Sequence, residues 1–227
     1  MKTALITGGA GRVGHAIARR LLTAGWRVLL ADRDEAAARQ AALELGASAE
    51  AVALDVTRLE SVKAAVADCT ARHGPIAALV NAAGGRTGAD AGPFTESDPA
   101  TWRPIVDLHL RGVLNCCYAV MPGMIAANGG TIISVVAFEG LRGHKASAVF
   151  SAAKAGVVVL TETLVRECQP HGIRVNAVVP APPEALARSH TNDDSSALAD
   201  AVAFLVSDKA VLTTGACLDV SGGWALH

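Results

Sequence analysis

The chain has 227 residues, of which 51% are hydrophobic, and a formal net charge of −1 at pH 7. A chain of this length and composition can bury a substantial core as one domain spanning residues 1–227. The nearly balanced charge gives no electrostatic reason to expect a nucleic acid or an anionic membrane surface as a partner. We therefore expect neither among the partners of this protein.

The five cysteines are scattered along the chain, without CxxC spacing. An odd count without metal-ligand spacing favours reduced thiols over a disulfide framework or a zinc site, so no metal is predicted. The N-terminal "MKTALITGG" leads directly into a strand pattern and lacks the apolar core of a signal peptide. No uninterrupted apolar run approaches the length needed to cross a bilayer. These features predict a cytoplasmic protein.

Seven short apolar runs alternate with amphipathic stretches along the chain. The runs predict strands at 3–7, 27–31, 51–54, 77–80, 131–136, 174–179 and 217–220. The stretches between them predict helices at 12–24, 34–45, 58–72, 98–126, 151–168 and 195–207. Thr57 and Glu60 have the spacing of a capping box, and Asp98–Pro99 is typical of a helix start. This alternation predicts a doubly wound α/β fold, with helices on both faces of a parallel sheet.

The first predicted strand ends in a glycine-rich turn, "TGGAGRVG" at 7–14. Gly8 would allow a tight turn, Gly11 a close approach of backbone to phosphate, and Gly14 close packing of helix and strand. The N-terminus of the following helix would favour a pyrophosphate through its dipole and free N–H groups. Asp32 ends the second strand, where a carboxylate can accept hydrogen bonds from ribose hydroxyls. The alternatives are a purely structural turn and an ordinary aspartate at a helix start.

Five motifs in order resemble the classical short-chain dehydrogenase/reductase family. The turn at 7–14 is similar to the family's TGxxxGxG, with Arg12 where glycine is usual, and "LDV" (54–56) matches the acid-plus-hydrophobe after the third strand. "NAAG" (81–84) matches NNAG, and "GIRVNAVVPA" (172–181) and "TGACLDVSGGW" (214–224) resemble the last two strands. The resemblance implies a Rossmann-type domain with a seven-stranded parallel sheet and a bound nicotinamide dinucleotide.

The resemblance also implies which residues contact that dinucleotide. These are Gly8, Gly11, Arg12, Val13, Gly14, Asp32, Arg33, Asp55, Val56, Asn81, Ala82, Gly84, Lys154 and Pro180. Asp55 would meet the adenine amino group, and Lys154 would hold the nicotinamide ribose. A carboxylate at Asp32 would repel a 2′-phosphate, which favours NAD(H) over NADP(H). Arg33 and Arg12 work against this preference, because either could pair with that phosphate.

Three catalytic positions of the family carry other residues in this chain. The family uses a tyrosine as acid/base, a nearby lysine that lowers its pKa, a serine that orients the substrate and an asparagine that organises a water relay. Matching "FSAAK" to YxxxK places Phe150 at the tyrosine, and Ala137, thirteen positions earlier, at the serine. His109 occupies the asparagine position and Ala185 a threonine that touches the carboxamide, so Lys154 alone is retained.

Other polar residues of the predicted cleft could replace the missing groups. His109 could titrate near neutrality, although a helical histidine bonded to backbone or water is the alternative. Glu139, His144 and Lys145 lie on the loop expected to line the substrate side, with a solvated surface as their alternative. The segment 181–196 is shorter than the family's substrate lid, which leaves the nicotinamide end open.

Three functional hypotheses follow. The first is an NAD(H)-binding protein of this fold without a competent oxidoreductase site, acting as a sensor, a scaffold or the partner of an active homologue. The second is an enzyme of altered chemistry (an isomerase, lyase or hydratase) that acts on an unknown small molecule through His109 or the 139–145 loop. The third is a weak dehydrogenase supported by Lys154 and water. The apolar stretches 101–121 and 151–168, which pair between subunits in the family, predict a homodimer or homotetramer, or assembly with a related chain.

Overall fold

A computed structural model describes residues 1–85, 92–181 and 194–223. The strands are β1 Thr3–Thr7, β2 Arg27–Asp32, β3 Ala49–Ala53, β4 Ile76–Asn81, β5 Gly130–Val135, β6 Ile173–Pro180 and β7 Cys217–Val220. All six neighbouring pairs are parallel, and the order is β3-β2-β1-β4-β5-β6-β7. The predicted doubly wound sheet of seven parallel strands is therefore confirmed. The strand order reverses between β1 and β4, and ligands bind at such a point in sheets of this kind.

Within the described ranges, seven α-helices cover the two faces of the sheet. They are α1 Arg12–Thr23, α2 Glu35–Leu45, α3 Leu59–His73, α4 Pro99–Val106, α5 Gly112–Ala126, α6 Ala148–Cys168 and α7 Asp194–Val206. α1 packs beside α7 in one apolar layer, whereas α3, α5 and α6 contribute to the layer on the opposite face. Every residue of β1 is buried, with Leu5 in one layer and Ala4 and Ile6 in the other. Both faces of the strand are covered, so apolar residues follow one another without alternation.

The predicted helix over 98–126 is two helices joined by a π-helical turn at Asp107–Arg111. Asp98 caps α4 as predicted, since its carboxylate accepts a hydrogen bond from the Ala100 amide. The extra residue that a π turn inserts rotates the chain locally, and such turns are frequent at functional sites. Here the turn places His109 in a buried position.

The capping box predicted for Thr57 and Glu60 is wrong. α3 begins after Arg58, which makes no side-chain cap. The Thr57 hydroxyl instead donates to Asp55 Oδ1 at 2.7 Å, and the Thr57 amide donates to the same oxygen at 2.9 Å. The hydrogen bond from the Thr57 hydroxyl to the charged carboxylate of Asp55 is stronger than the bond that the hydroxyl would accept from a backbone amide in a capping box. The result is a tight turn that holds Asp55 at the carboxyl edge of the sheet.

The residues Ala148–His171, α6 with the short turn after it, are long and apolar enough to cross a membrane by length and composition. Lys154, Glu162, Arg166 and Glu167 interrupt this stretch, so it does not contradict the prediction that no uninterrupted apolar run reaches that length. α6 packs against β6 and against the turn Phe138–Gly140. Of its most apolar window, 44% is buried inside the protein. Contacts of this kind are those of a core helix.

All five cysteines are free thiols, as the sequence predicts, and four of them are buried. Burial raises the pKa of Cys117 to about 12. A thiol that stays protonated at neutral pH is a poor nucleophile and a poor metal ligand. These side chains therefore contribute to packing.

Candidate functional site

The glycine-rich turn packs backbone against backbone at the carboxyl end of β1. Gly8 has φ +66°, and a Cβ added there would lie 2.8 Å from the Ala83 Cα. A Cβ on Gly14 would lie only 2.2 Å from the Gly8 carbonyl oxygen. The Gly11 amide donates to the same carbonyl at 3.0 Å, and α1 begins at the next residue. The first N–H groups of α1 have no intrahelical acceptors and therefore suit an anion such as pyrophosphate.

Thr7, which the sequence analysis did not assign a role, fixes the segment after β4 against this turn. Its hydroxyl oxygen accepts hydrogen bonds from the amides of Ala82, at 3.2 Å, and Ala83, at 3.1 Å. The sequence signal for this role of Thr7 was its position directly before Gly8, the first glycine of the turn. Asn81 lines neither of the two cavities described below, and its side-chain amide donates to Ser134 Oγ at 3.3 Å. Asn81 thus holds β4 to β5, and the predicted cofactor contact of this residue remains a prediction.

A cavity of about 770 Å³ lies beyond the ends of β2 and β3. It is lined by the predicted residues Gly8, Asp32, Arg33, Asp55, Val56, Gly84 and His109, together with Ala100, Thr101, Pro104 and Ile105 of α4. Asp32 is held at its rim, because Oδ2 accepts from the Ala10 amide at 3.3 Å and Oδ1 from the Asp34 amide at 3.1 Å. The wall contributed by α4 was not predicted.

A second cavity, of about 270 Å³, lies between the start of α1 and α6. Its lining includes Gly11, Arg12, Val13, Gly14, Ala82, Phe150 and Lys154. The two cavities share Gly8, Ala83 and Gly84, so they meet at the glycine-rich turn. The resulting cleft is elongated and has the anion-binding helix end at its middle. This shape fits a dinucleotide whose pyrophosphate lies at α1.

Lys154, which the sequence analysis matched to the lysine of the family motif, lies in the smaller cavity. Its side chain is 6% exposed, and Nζ donates to the Val135 carbonyl oxygen at 3.0 Å. The ammonium group also lies 5.8 Å from the centre of the Phe150 ring. Burial lowers the pKa of Lys154 to about 8, while the charge of Glu139 acts in the opposite direction. A phenyl ring beside this ammonium group can neither donate nor accept a proton.

His109 packs edge-on against Phe150, with 4.8 Å between ring centres and an angle of 83°. The residue is 2% exposed. Burial, with a smaller contribution from the charge of Lys154, lowers the pKa of His109 to about 4, although a hydrogen bond to the Gly85 backbone opposes this shift. Nδ1 has no hydrogen-bond partner among the described residues. The imidazole is neutral at pH 7, so the expected titration near neutrality is wrong.

In the loop after β5, the alternative of a solvated surface fits His144 and Lys145 but not Glu139. Glu139 is 4% exposed and lies in a short 3₁₀ turn, Phe138–Gly140, that packs on α6. His144 and Lys145 are exposed, and the His144 ring contacts Phe138 at 5.4 Å. The structure therefore brings Glu139 toward Lys154 and leaves the other two residues at the surface.

Three predicted positions lie outside the lining of the two cavities or outside the described residues. Pro180 ends β6 and does not line either cavity. Ala137 immediately precedes the 3₁₀ turn, at the exit of β5. Ala185 and most of the segment expected to be a short lid, 182–193, fall outside the described residues.

Residues 2–195 match the protein family described as short chain dehydrogenase. The chain belongs to the short-chain dehydrogenase/reductase family. The match spans the glycine-rich turn, both cavities and the whole of α6, so the resemblance proposed from five motifs is confirmed at the level of the family.

Several proteins of this family cover almost the whole chain. One is 2-(S)-hydroxypropyl-CoM dehydrogenase 3 of Xanthobacter autotrophicus, 32% identical over 96% of this chain and 94% of its own. Another, from the same organism, is named inactive 2-(S)-hydroxypropyl-CoM dehydrogenase 2, and is 34% identical over 91% and 98% of the two chains. The crystal structure of 3-ketoacyl-(acyl-carrier-protein) reductase from Brucella melitensis complexed with NADH superposes with a TM-score of 0.90. It is 31% identical and covers 99% of this chain and 98% of its own.

Proposed function

We propose that this protein is an NAD(H)-binding member of the family that lacks normal dehydrogenase activity. One observation carries the proposal. The cleft keeps the glycine-rich turn and a buried Lys154, but Phe150 lines it where the family motif has the acid/base tyrosine, and Ala137, at the exit of β5, takes the place of the orienting serine.

The nucleotide half of the cleft supports cofactor binding. Gly8 and Gly14 leave no space for a Cβ, as a turn wrapped around phosphate requires. Asp32 stands at the rim of the larger cavity, where it can accept from ribose hydroxyls and repel a 2′-phosphate. The similar Brucella reductase was crystallised with NADH. A bound nicotinamide would supply or accept a hydride.

The chemical half does not support proton transfer to or from a substrate oxygen. Reduction of a carbonyl needs an acid for the oxygen, and loss of such a group typically costs about 10²–10⁴ in rate. Phe150 has no exchangeable proton and Ala137 has no hydroxyl. His109 is neutral at pH 7, with a pKa of about 4. One relative of similar length is itself named inactive, so chains described as lacking dehydrogenase activity occur in this family.

The buried Glu139 favours one alternative, an enzyme of altered chemistry such as an isomerase, lyase or hydratase. A carboxylate near a lysine with a pKa of about 8 could exchange protons with a substrate without hydride transfer. This second candidate requires a small molecule to reach Glu139.

The experiment that tests the proposal combines binding with turnover. Isothermal titration should detect NADH binding to the purified protein and weaker binding of NADPH. Turnover of common ketones and secondary alcohols with NAD(H) should stay below about 1 s⁻¹, the low end of typical enzymes. Faster turnover would contradict the non-catalytic reading, and a tenfold preference for NADPH would contradict the role of Asp32.

We also propose that the protein assembles through α5 and α6. Leu114 and Tyr118 on α5 and Val159 on α6 are large, apolar or aromatic and exposed. Clusters of such side chains on a helical surface mark interaction sites. Light scattering at micromolar concentration should give the mass of a dimer or tetramer, and Val159→Asp should lower it. A monomeric mass for the unmodified protein would contradict this proposal.

A further inference from the structure

Glu139 and Lys154 are two buried, oppositely charged residues from adjacent elements. Their exposed fractions are 4% and 6%. The 3₁₀ turn that carries Glu139 docks directly on α6, because a Cβ on Gly140 would lie 2.8 Å from both the Cβ and the carbonyl carbon of Lys154. The turn therefore cannot move away from α6 without losing this backbone contact.

A buried ammonium group is costly unless an opposite charge or hydrogen bonds compensate it. The Val135 carbonyl oxygen provides one hydrogen bond to Nζ of Lys154. Burial lowers the pKa of Lys154 to about 8, and the charge of Glu139 limits that decrease. At neutral pH the lysine consequently remains protonated with Glu139 present.

The other elements around Lys154 contribute no further negative charge among the described residues. The π turn contributes His109, which is neutral at pH 7 and whose charged form the lysine disfavours. The start of α1 contributes Arg12, a cation that lines the same small cavity. The end of β5 contributes the Val135 carbonyl, a dipole without net charge. Without Glu139, Lys154 would have one hydrogen-bond acceptor, the Val135 carbonyl oxygen, and no negative charge beside it among the described residues.

We propose that Glu139 is a positioning residue that supplies the buried counter-charge of Lys154 and so keeps this lysine protonated where the nucleotide binds. The inference rests on the proposed NAD(H) binding for its functional consequence. A charged lysine donates stronger hydrogen bonds to ribose hydroxyls than a neutral amine does. A chain without the tyrosine can thus retain a cofactor-binding lysine.

The first experiment measures the protonation of Lys154 without any nucleotide. The rate of acetylation of this amine by acetic anhydride is followed by mass spectrometry from pH 6 to 10 in the unmodified protein and in Glu139→Gln. We expect a midpoint near pH 8 in the unmodified protein. In the variant it should be lower by about one unit, which raises the fraction of neutral amine, and so the acetylation rate, about fivefold at pH 7. Coincident profiles would overturn the proposal.

Two control variants separate charge from structure. Glu162→Gln removes an exposed carboxylate from the same helix and should leave the midpoint unchanged. Glu139→Asp keeps the charge and should restore the profile of the unmodified protein. A shift in Glu162→Gln as large as that in Glu139→Gln would overturn the proposal, and so would a failure of Glu139→Asp to restore the profile.

The second experiment measures NADH affinity between pH 6 and 9. The affinity of Glu139→Gln should fall about tenfold between pH 6 and pH 8, whereas that of the unmodified protein should fall only about twofold over this range, because its lysine is still half protonated at pH 8. Parallel curves would overturn the role of Glu139 in nucleotide binding. If the unmodified protein does not bind NADH at all, the proposed function fails, while the acetylation profile still decides whether Glu139 keeps Lys154 charged.

Discussion

The two halves of the cleft differ in what they retain. At the turn between β1 and α1 the requirements are steric, and glycines satisfy them with contacts as close as 2.2 Å for an added Cβ. At α6 and at the exit of β5 the proposed requirements are chemical, and the family motifs align Phe150 and Ala137 with a tyrosine and a serine whose hydroxyl groups these two residues lack. A fold can therefore keep the shape of its cofactor site while losing the functional groups that act on a substrate, because different residues determine the two.

The largest effect is expected from restoring the missing hydroxyls. Phe150→Tyr together with Ala137→Ser returns a phenol beside Lys154 and a hydroxyl at the exit of β5. The rate of ketone reduction with NADH should rise by about 10²–10⁴ if the rest of the nicotinamide half is intact. Phe94→Tyr, at an exposed position, is the control and should change nothing. No gain in rate would show that the segment after β6 also fails to place the nicotinamide.

The glycine-rich turn can be broken with one methyl group. Gly14→Ala places a Cβ 2.2 Å from the Gly8 carbonyl oxygen, so the turn or α1 must move. We expect NADH affinity to fall by about 100-fold or more, since backbone contacts to pyrophosphate depend on this geometry. Gly123→Ala is the matched control, because no atom lies within 4 Å of its added Cβ. Unchanged titration curves for Gly14→Ala would contradict the assignment of the pyrophosphate site.

The buried His109 predicts a pH dependence of stability. The folded protein keeps the imidazole neutral down to about pH 4, whereas the unfolded chain takes up a proton below about 6.5. The contribution of His109 to the free energy of unfolding is therefore fully present above pH 6.5 and is lost as the pH falls toward 4. Between pH 7 and pH 5 this amounts to about 2 kcal/mol of unfolding free energy.

Urea unfolding of His109→Gln at both pH values tests this sign. Between pH 7 and pH 5 the unfolding free energy of His109→Gln should decrease by about 2 kcal/mol less than that of the unmodified protein. His144→Gln changes an exposed histidine and should behave like the unmodified protein. Equal losses in all three proteins would mean that His109 titrates normally in the folded state.

A smaller effect is expected at the rim of the nucleotide half. Asp32→Ala removes the carboxylate that faces the ribose position and leaves Arg33 in the lining of the same cavity. The ratio of NADPH to NADH affinity should increase about tenfold, through loss of repulsion from a 2′-phosphate and of hydrogen bonds to the ribose hydroxyls. Competitive titration of the two nucleotides measures this ratio. If the ratio of NADPH to NADH affinity does not change, the adenosine ribose does not bind beside Asp32.

The parts of the molecule that follow from local periodicity could be predicted from the sequence. Seven apolar runs predicted seven strands, and the spacing of Gly8, Gly11 and Gly14 predicted the turn, because each depends on residues close in the chain. The lining residues of the two cavities that the family motifs name, such as Asp32 and Lys154, were also placed in the cleft.

Properties set by packing between distant segments could not be predicted. Glu139 belongs to a polar loop in the sequence, and only the docking of its turn on α6 buries it. His109 has the side chain of a neutral-pH acid/base, but its pKa depends on burial and on Lys154, 45 positions later. The π turn also escaped prediction, since the apolar pattern of 98–126 continues through it.

Gly84 and His109 restrict each other's substitution. Gly84 has φ +143°, and an added Cβ would lie 2.9 Å from Nδ1 and Cε1 of the imidazole. A larger residue at 84 would thus require both a backbone change and a smaller side chain at 109, whereas a smaller residue at 109 can be introduced first. Mutational paths to a larger residue at 84 combined with an asparagine at 109 are therefore open in one order only, and a deep mutational scan should show a strong pairwise dependence between these two positions.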